Sequence, residues 1–229
     1  MKLPDLSGLS TKEEEHHSMA TQTAPNNAST ASMQSVTFER FAGMSAILAG
    51  IAALLYSIAF VVLHNTLLSP LFLMLSALLS TSALVAVYHR VRETDAAFAL
   101  WALLLSFIGA LGATIHGGYD LANAINHAVI NTTLPSEIDP RGLLTFGVTG
   151  LGLLGIAWLI GRSRQFPRGL SYWGYLLGVL LIVLYVAYLV LVNTKNPLIA
   201  GDVLLIGFVV NPIWYLWLGF ALWRGRNAG

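Results

Sequence analysis

The chain has 229 residues, of which 56% are hydrophobic and only 10% charged, with a formal net charge of +1. A soluble domain carries about 25% charged residues, so this composition belongs to the membrane class and gives no reason to expect a nucleic-acid partner. No cysteine occurs, which excludes disulfides, thiolate metal sites, iron–sulfur clusters and cysteine nucleophiles.

Residues 1–40 are rich in Ser, Thr, Ala, Asn and Gln and show no apolar periodicity. Such a segment buries too little apolar surface to offset its ordering entropy, so it is expected to be a disordered polar tail. It lacks the apolar core of a signal peptide. The adjacent pair His16–His17 is expected to have no function.

The rest of the chain, residues 41–226, is expected to be one transmembrane domain. About 20 mainly apolar residues cross the hydrocarbon core as a helix, and six stretches qualify: 42–64, 67–88, 96–116, 142–161, 170–192 and 203–223. The expected fold is therefore all-α, an integral membrane bundle of six transmembrane helices. Arg40, Arg90, Arg92, Arg162, Arg164, Arg168, Arg224 and Arg226 fall on one side of these spans, and only Arg141 and Lys195 on the other. The excess of eight over two places both termini in the cytoplasm.

Small residues four apart let helix backbones approach closely, which drives association where lipid cancels the hydrophobic effect. Ala46 and Gly50, Gly109 and Ala113, and Gly174 and Gly178 form such pairs. Gly147, Gly150, Gly152 and Gly155 give the fourth span two glycine faces. Beyond the lipid bilayer, a homo-oligomer or a membrane-protein partner is compatible with these packing faces.

The third span runs into "IHGGYDLANAINHA", residues 115–128. At 100° per residue His116, Asp120, Asn123 and His127 fall on one strip about 60° wide. Gly117–Gly118 is a point where the helix is expected to kink or end. An Asp at a helix centre costs roughly 2.5–3.5 kcal/mol on insertion, while the window 96–116 is free of charge. Asp120, Asn123 and His127 are therefore expected at or beyond the outer boundary, on an amphipathic extension. His64 and Asp202 reach the same side, as do Glu137 and Asp139 of the following loop. His64, His116, Asp120 and Asp202 are thus the candidate metal ligands, with Asp120 and His116 the candidate catalytic residues of an outer-leaflet metal-dependent hydrolase. His116 and His127 cannot share one ion, since their helical rise differs by about 16 Å. No cofactor is expected beyond such an ion. His64 with His116 is the sole pair for a bis-histidine haem.

The sixth span contains Asn211–Pro212. Proline removes a backbone donor and clashes with the preceding turn, so a kink near 209–211 is expected. Asn211, Tyr185 and Tyr188 are the candidate mid-depth polar lining. Breaks at Gly117–Gly118 and at Asn211–Pro212 suggest a small-solute transporter built of two halves. The scarcity of mid-membrane polar groups favours instead a non-enzymatic membrane component, a sensor or accessory subunit.

The stretches "ERFAGMSAILAGIAALLYSIAF", "GRSRQFPRGLSYWGYLLGVLLIV" and "NPIWYLWLGFALWRGR" resemble a bacterial family of small multi-spanning integral membrane proteins of unknown function. The likeness covers most of residues 38–226. It implies a bacterial cytoplasmic (inner) membrane location and supplies no activity.

Overall fold

The computed structural model describes the backbone of residues 24–127, 140–191 and 196–224, with side chains from residue 37 in the first stretch and from residue 145 in the second. The chain divides into two compact units, Met1–Phe38 and Glu39–Gly229. Of the expected polar tail, residues 1–23 lie outside the described residues, and from Ala24 the backbone is helical.

Every regular element among the described residues is helical. Helix α1 (Ala24–Ser57) passes into a π-helical segment, Ile58–Val62, and is followed by α2 (Leu68–Val91), α3 (Ala96–Asn126), α4 (Pro140–Arg162) and α5 (Arg168–Leu191). The last span is built of α6 (Pro197–Leu205), a second π-helical segment, Ile206–Val210, and α7 (Asn211–Trp223). Six helices are long and apolar enough to cross a membrane: Thr37–Val62, Leu68–Val91, Ala96–Asn126, Thr145–Arg162, Arg168–Leu191 and Pro197–Trp223.

Local chemistry sets several of these boundaries. Asp95 caps α3, its Oδ1 accepting from the Phe98 amide at 3.0 Å. Asn196 caps α6 by accepting from the Leu198 amide at 3.0 Å, and Pro197 at the first helical position needs no donor. This cap starts the last span at Pro197 rather than at 203, and so brings Asp202 inside it.

The expected break at Gly117–Gly118 does not occur. A Cβ on Gly117 would lie 2.8 Å from the Pro70 carbonyl oxygen and 2.9 Å from the Met74 amide nitrogen. Gly117 is where α3 presses backbone to backbone against α2, and the helix continues to Asn126. At 1.5 Å per residue its 31 residues are about 46 Å long.

Neighbours in sequence are neighbours in space around a closed ring of six spans. Ser76 Oγ of α2 donates to the Ala49 carbonyl of α1 at 3.0 Å. Along α4, one glycine face meets α3, with Gly152 against Ser106 and Gly155 against Ala102, while Gly150 on the other face meets Gly178 of α5. The ring closes through Gly43 of α1 and Gly219 of α7, each backbone lying under the other.

Outward, the helices present apolar side chains. On α3, Leu100, Leu104, Ile108, Leu111 and Ile115 are exposed at helical spacing, the stripe a hydrocarbon solvent would cover. The π-helical segment Ile206–Val210 immediately precedes Pro212, with the Asn211 amide bonding the Ile206 carbonyl five residues back. Widening this turn relieves the clash a proline ring makes with a regular helix. Trp173 of α5 donates from Nε1 to the Val210 carbonyl at 2.9 Å.

One end of the ring is tied by a buried arginine. Arg90 of α2 is 1% exposed and bonds Glu39 Oε2 at 2.8 Å. It also donates to the carbonyls of Ala221 and Leu222, at 3.1 and 3.0 Å, in the last turn of α7. Its guanidinium carbon sits 5.3 Å from the centre of the Phe166 ring. The first, second and last spans and the turn before α5 thus meet at one cation.

Candidate functional site: a cavity enclosed by all six spans

A cavity of about 330 Å³ lies within the ring, and every span contributes to its wall. From α1 and its π-helical end come Tyr56, Ser57 and Phe60; from α2 come Ser69, Ser76, Ser80 and Leu84. Helix α3 supplies Ser106, Gly109, Ala113, His116 and Asp120. Thr149 and Leu153 of α4, Leu184 and Tyr188 of α5, and Gly207, Asn211 and Tyr215 of the last span complete the outline.

The lining follows helical geometry. Ser69, Ser76, Ser80 and Leu84 are separated by seven, four and four residues, which keeps them on one face of α2. From Ser69 to Leu84 the rise is about 22 Å, so the cavity runs along the bundle axis. On α3, Ser106, Gly109, Ala113, His116 and Asp120 alternate three and four apart and form a matching stripe. Because Gly117 packs on Pro70, Asp120 stands at the Ser69 end and Ser106 deeper in the bundle.

Three lining hydroxyls are turned back into their own helices. Ser57 donates to the Ala53 carbonyl at 3.1 Å, Ser80 to Ala77 at 2.7 Å and Ser106 to Ala102 at 2.9 Å. At the Ser69 end, His116 Nε2 lies 3.4 Å from Asp120 Oδ2, and His116 Nδ1 is enclosed without a partner. The Asp120 side chain, 37% exposed, marks where the cavity approaches the surface. Tyr56 lies within electrostatic reach of both Tyr188 and Asp120.

The two π-helical segments meet beside this cavity. Phe60 and Val61 of the first and Ile206 and Gly207 of the second are lining residues. A Cβ on Gly207 would run into the Ser57 hydroxyl.

This geometry revises several sequence expectations. His116 and Asp120 both line the cavity. His127 ends α3 in a left-handed conformation, φ 50°, and is exposed. Asn123 is half-buried. His64 sits in an exposed turn after the first π-helical segment, also left-handed at φ 49°.

Asp202 lies in α6, with both carboxylate oxygens enclosed and unpartnered, and is not a lining residue. The four candidate ligands therefore do not converge. Among the described residues no three His, Asp or Glu side chains form a group able to hold a metal ion. Glu137 and Asp139, like His16, His17 and Lys195, lie outside the described residues. Of the expected polar lining, Tyr188 and Asn211 line the cavity. Tyr185 instead packs its ring over Gly147, and Pro212 is buried with its carbonyl oxygen against Gly50. The cavity serines went unnoticed in the sequence, and Arg90 was read only as a charge on the cytoplasmic side. The helical spacing of Ser69, Ser76 and Ser80, seven and four residues, is the signal that marks the cavity face.

The fold and the enclosed cavity define a multi-pass helical membrane protein with a partly polar interior. No protein-family model matches the chain, and no curated protein or solved structure shows significant similarity to it.

Proposed function

We propose that this is a multi-pass protein of a bacterial cytoplasmic membrane, with both termini in the cytoplasm, which takes a small solute into the centre of its bundle and carries it across. The observation that supports this reading is the 330 Å³ cavity with a wall drawn from all six spans. Ligand pockets of about 300–1,000 Å³ enclose small molecules, and polar groups inside a membrane bundle mark substrate pathways. The paired π-helical segments add support, because such turns concentrate at functional sites and mark helices that can re-register. Of the readings the sequence leaves open, this takes the small-solute transporter over the sensor or accessory subunit. A metal-dependent hydrolase finds less support, since His64 and Asp202 stand apart from His116 and Asp120.

Purified protein reconstituted into vesicles tests this with a panel of radiolabelled small amines, amino acids, sugars and carboxylates. Uptake of at least one solute above empty vesicles is expected, and Thr149→Phe, which fills the cavity, abolishes it. A panel indistinguishable from empty vesicles contradicts transport.

A further inference from the structure

We propose that the cavity selects a protonated primary amine carried on an elongated apolar body, with the ammonium at Asp120 and the body directed toward Leu84 and Leu153. The proposal rests on the reading of the cavity as a solute site and names the solute's chemistry.

Four serines of the wall act toward the cavity as acceptors. Each serine hydroxyl has one proton and two lone pairs. Ser57, Ser76, Ser80 and Ser106 all spend the proton on backbone carbonyls, of Ala53, Ala49, Ala77 and Ala102. Toward the cavity they offer lone pairs. The matching ligand group is rich in N–H donors and poor in acceptors, as an ammonium is.

Charge points the same way. Among the described residues, Asp120 is the only Asp, Glu, Lys or Arg that lines the cavity. His116 steadies this group, its Nε2 lying 3.4 Å from Asp120 Oδ2. An ammonium pairs with the Asp120 carboxylate.

Aromatic faces and shape complete the match. Tyr56, Phe60 and Tyr188 line the cavity, and a cation within about 6 Å of such a ring is attracted by its quadrupole. From Asp120 to Ser106 the wall of α3 runs about 21 Å. Over that distance its formal charge is confined to the Asp120 end, while Leu84, Leu153, Leu181 and Leu184 contribute apolar wall. A ligand with one charged end and an apolar stem fits both features.

The test uses the absence of native cysteine. Full-length protein carrying Ser76→Cys, about 10 Å along the axis from the Asp120 end, in lipid nanodiscs, is treated with methyl methanethiosulfonate, a small neutral thiol reagent. Hexylamine, hexan-1-ol and hexanoate are then compared as protectants at equal concentration. Hexylamine is expected to slow modification while the alcohol and the carboxylate do not. Asp120→Asn weakens that protection about tenfold, the loss expected for a charge-assisted bond. If the thiol is modified and the three protectants act alike, or the amine fails to protect, the amine assignment is overturned and the cavity reading stands. If the thiol is never modified, the cavity reading itself fails and the assignment with it. Thr145→Cys, on another helix and level with Gly112, replaces Ser76→Cys should the latter not fold, with the same outcomes.

Discussion

Arg90→Ala is expected to destabilise the bundle by about 3–5 kcal/mol, the range for removing one partner of a buried ion pair. Three consequences combine. Glu39, whose side chain is 15% exposed, loses its counter-ion. The carbonyls of Ala221 and Leu222 lose donors that terminate α7. The cation over Phe166 disappears.

The cause can be separated by a second change. Arg90→Met together with Glu39→Gln removes the stranded carboxylate and is expected to recover part of the loss, because the unpaired charge carries much of the penalty. Arg90→Lys is expected to recover little, since one ammonium cannot reproduce a planar fork shared between Glu39 and two carbonyls. Unfolding of detergent-solubilised protein, followed by helical circular dichroism, measures all three. Equal stability of Arg90→Ala and the native chain would remove Arg90 from the account.

Adjacent glycines are expected to behave oppositely. On Gly117 a Cβ would meet backbone atoms of Pro70 and Met74 at 2.8 and 2.9 Å, and backbone cannot swing aside. Gly117→Ala should therefore cost about 1–3 kcal/mol, as overpacking does, and Gly117→Leu should prevent assembly of α3 on α2. On Gly118 the only near atom is the Met74 sulfur, at 3.8 Å. There alanine fits, and its better helix propensity, up to about 1 kcal/mol, makes Gly118→Ala neutral or stabilising. The same unfolding assay decides. A loss at both positions, or at neither, contradicts the close α2–α3 contact that orients His116 and Asp120.

The six spans were legible because the apolar run that crosses a membrane is a local property of the chain. The end of α3 was not. "HGG" reads as a break when considered alone, and becomes continuous helix only because Pro70 and Met74 require a residue without a side chain. The start of the last span was misplaced for a related reason, since the Asn196 cap outweighs the cost of Asp202 in the helix.

The cavity was half visible. Gly109–Ala113 was read as a packing pair and His116–Asp120 as a polar strip, yet Ser106, Gly109, Ala113, His116 and Asp120 are one stripe of alternating three- and four-residue steps. Each serine on α2 is unremarkable singly, and only the facing stripe on α3 gives the spacing its meaning. Pro212 marks the second π-helical segment locally, while the first has no comparable signature, since a widened turn there depends on what packs beside it.

Water access along α2 tests the enclosed polar cavity most directly. Ser76 and Ser80 line it, while Leu75 and Leu78 of the same helix are exposed on the outer apolar face. Only a thiolate reacts with a methanethiosulfonate, and a thiol in hydrocarbon does not ionise. In lipid nanodiscs, Ser76→Cys and Ser80→Cys are therefore expected to react at least about tenfold faster than Leu75→Cys and Leu78→Cys. Equal rates at all four positions, or faster reaction at the leucine positions, would contradict a water-accessible cavity at the centre of the bundle.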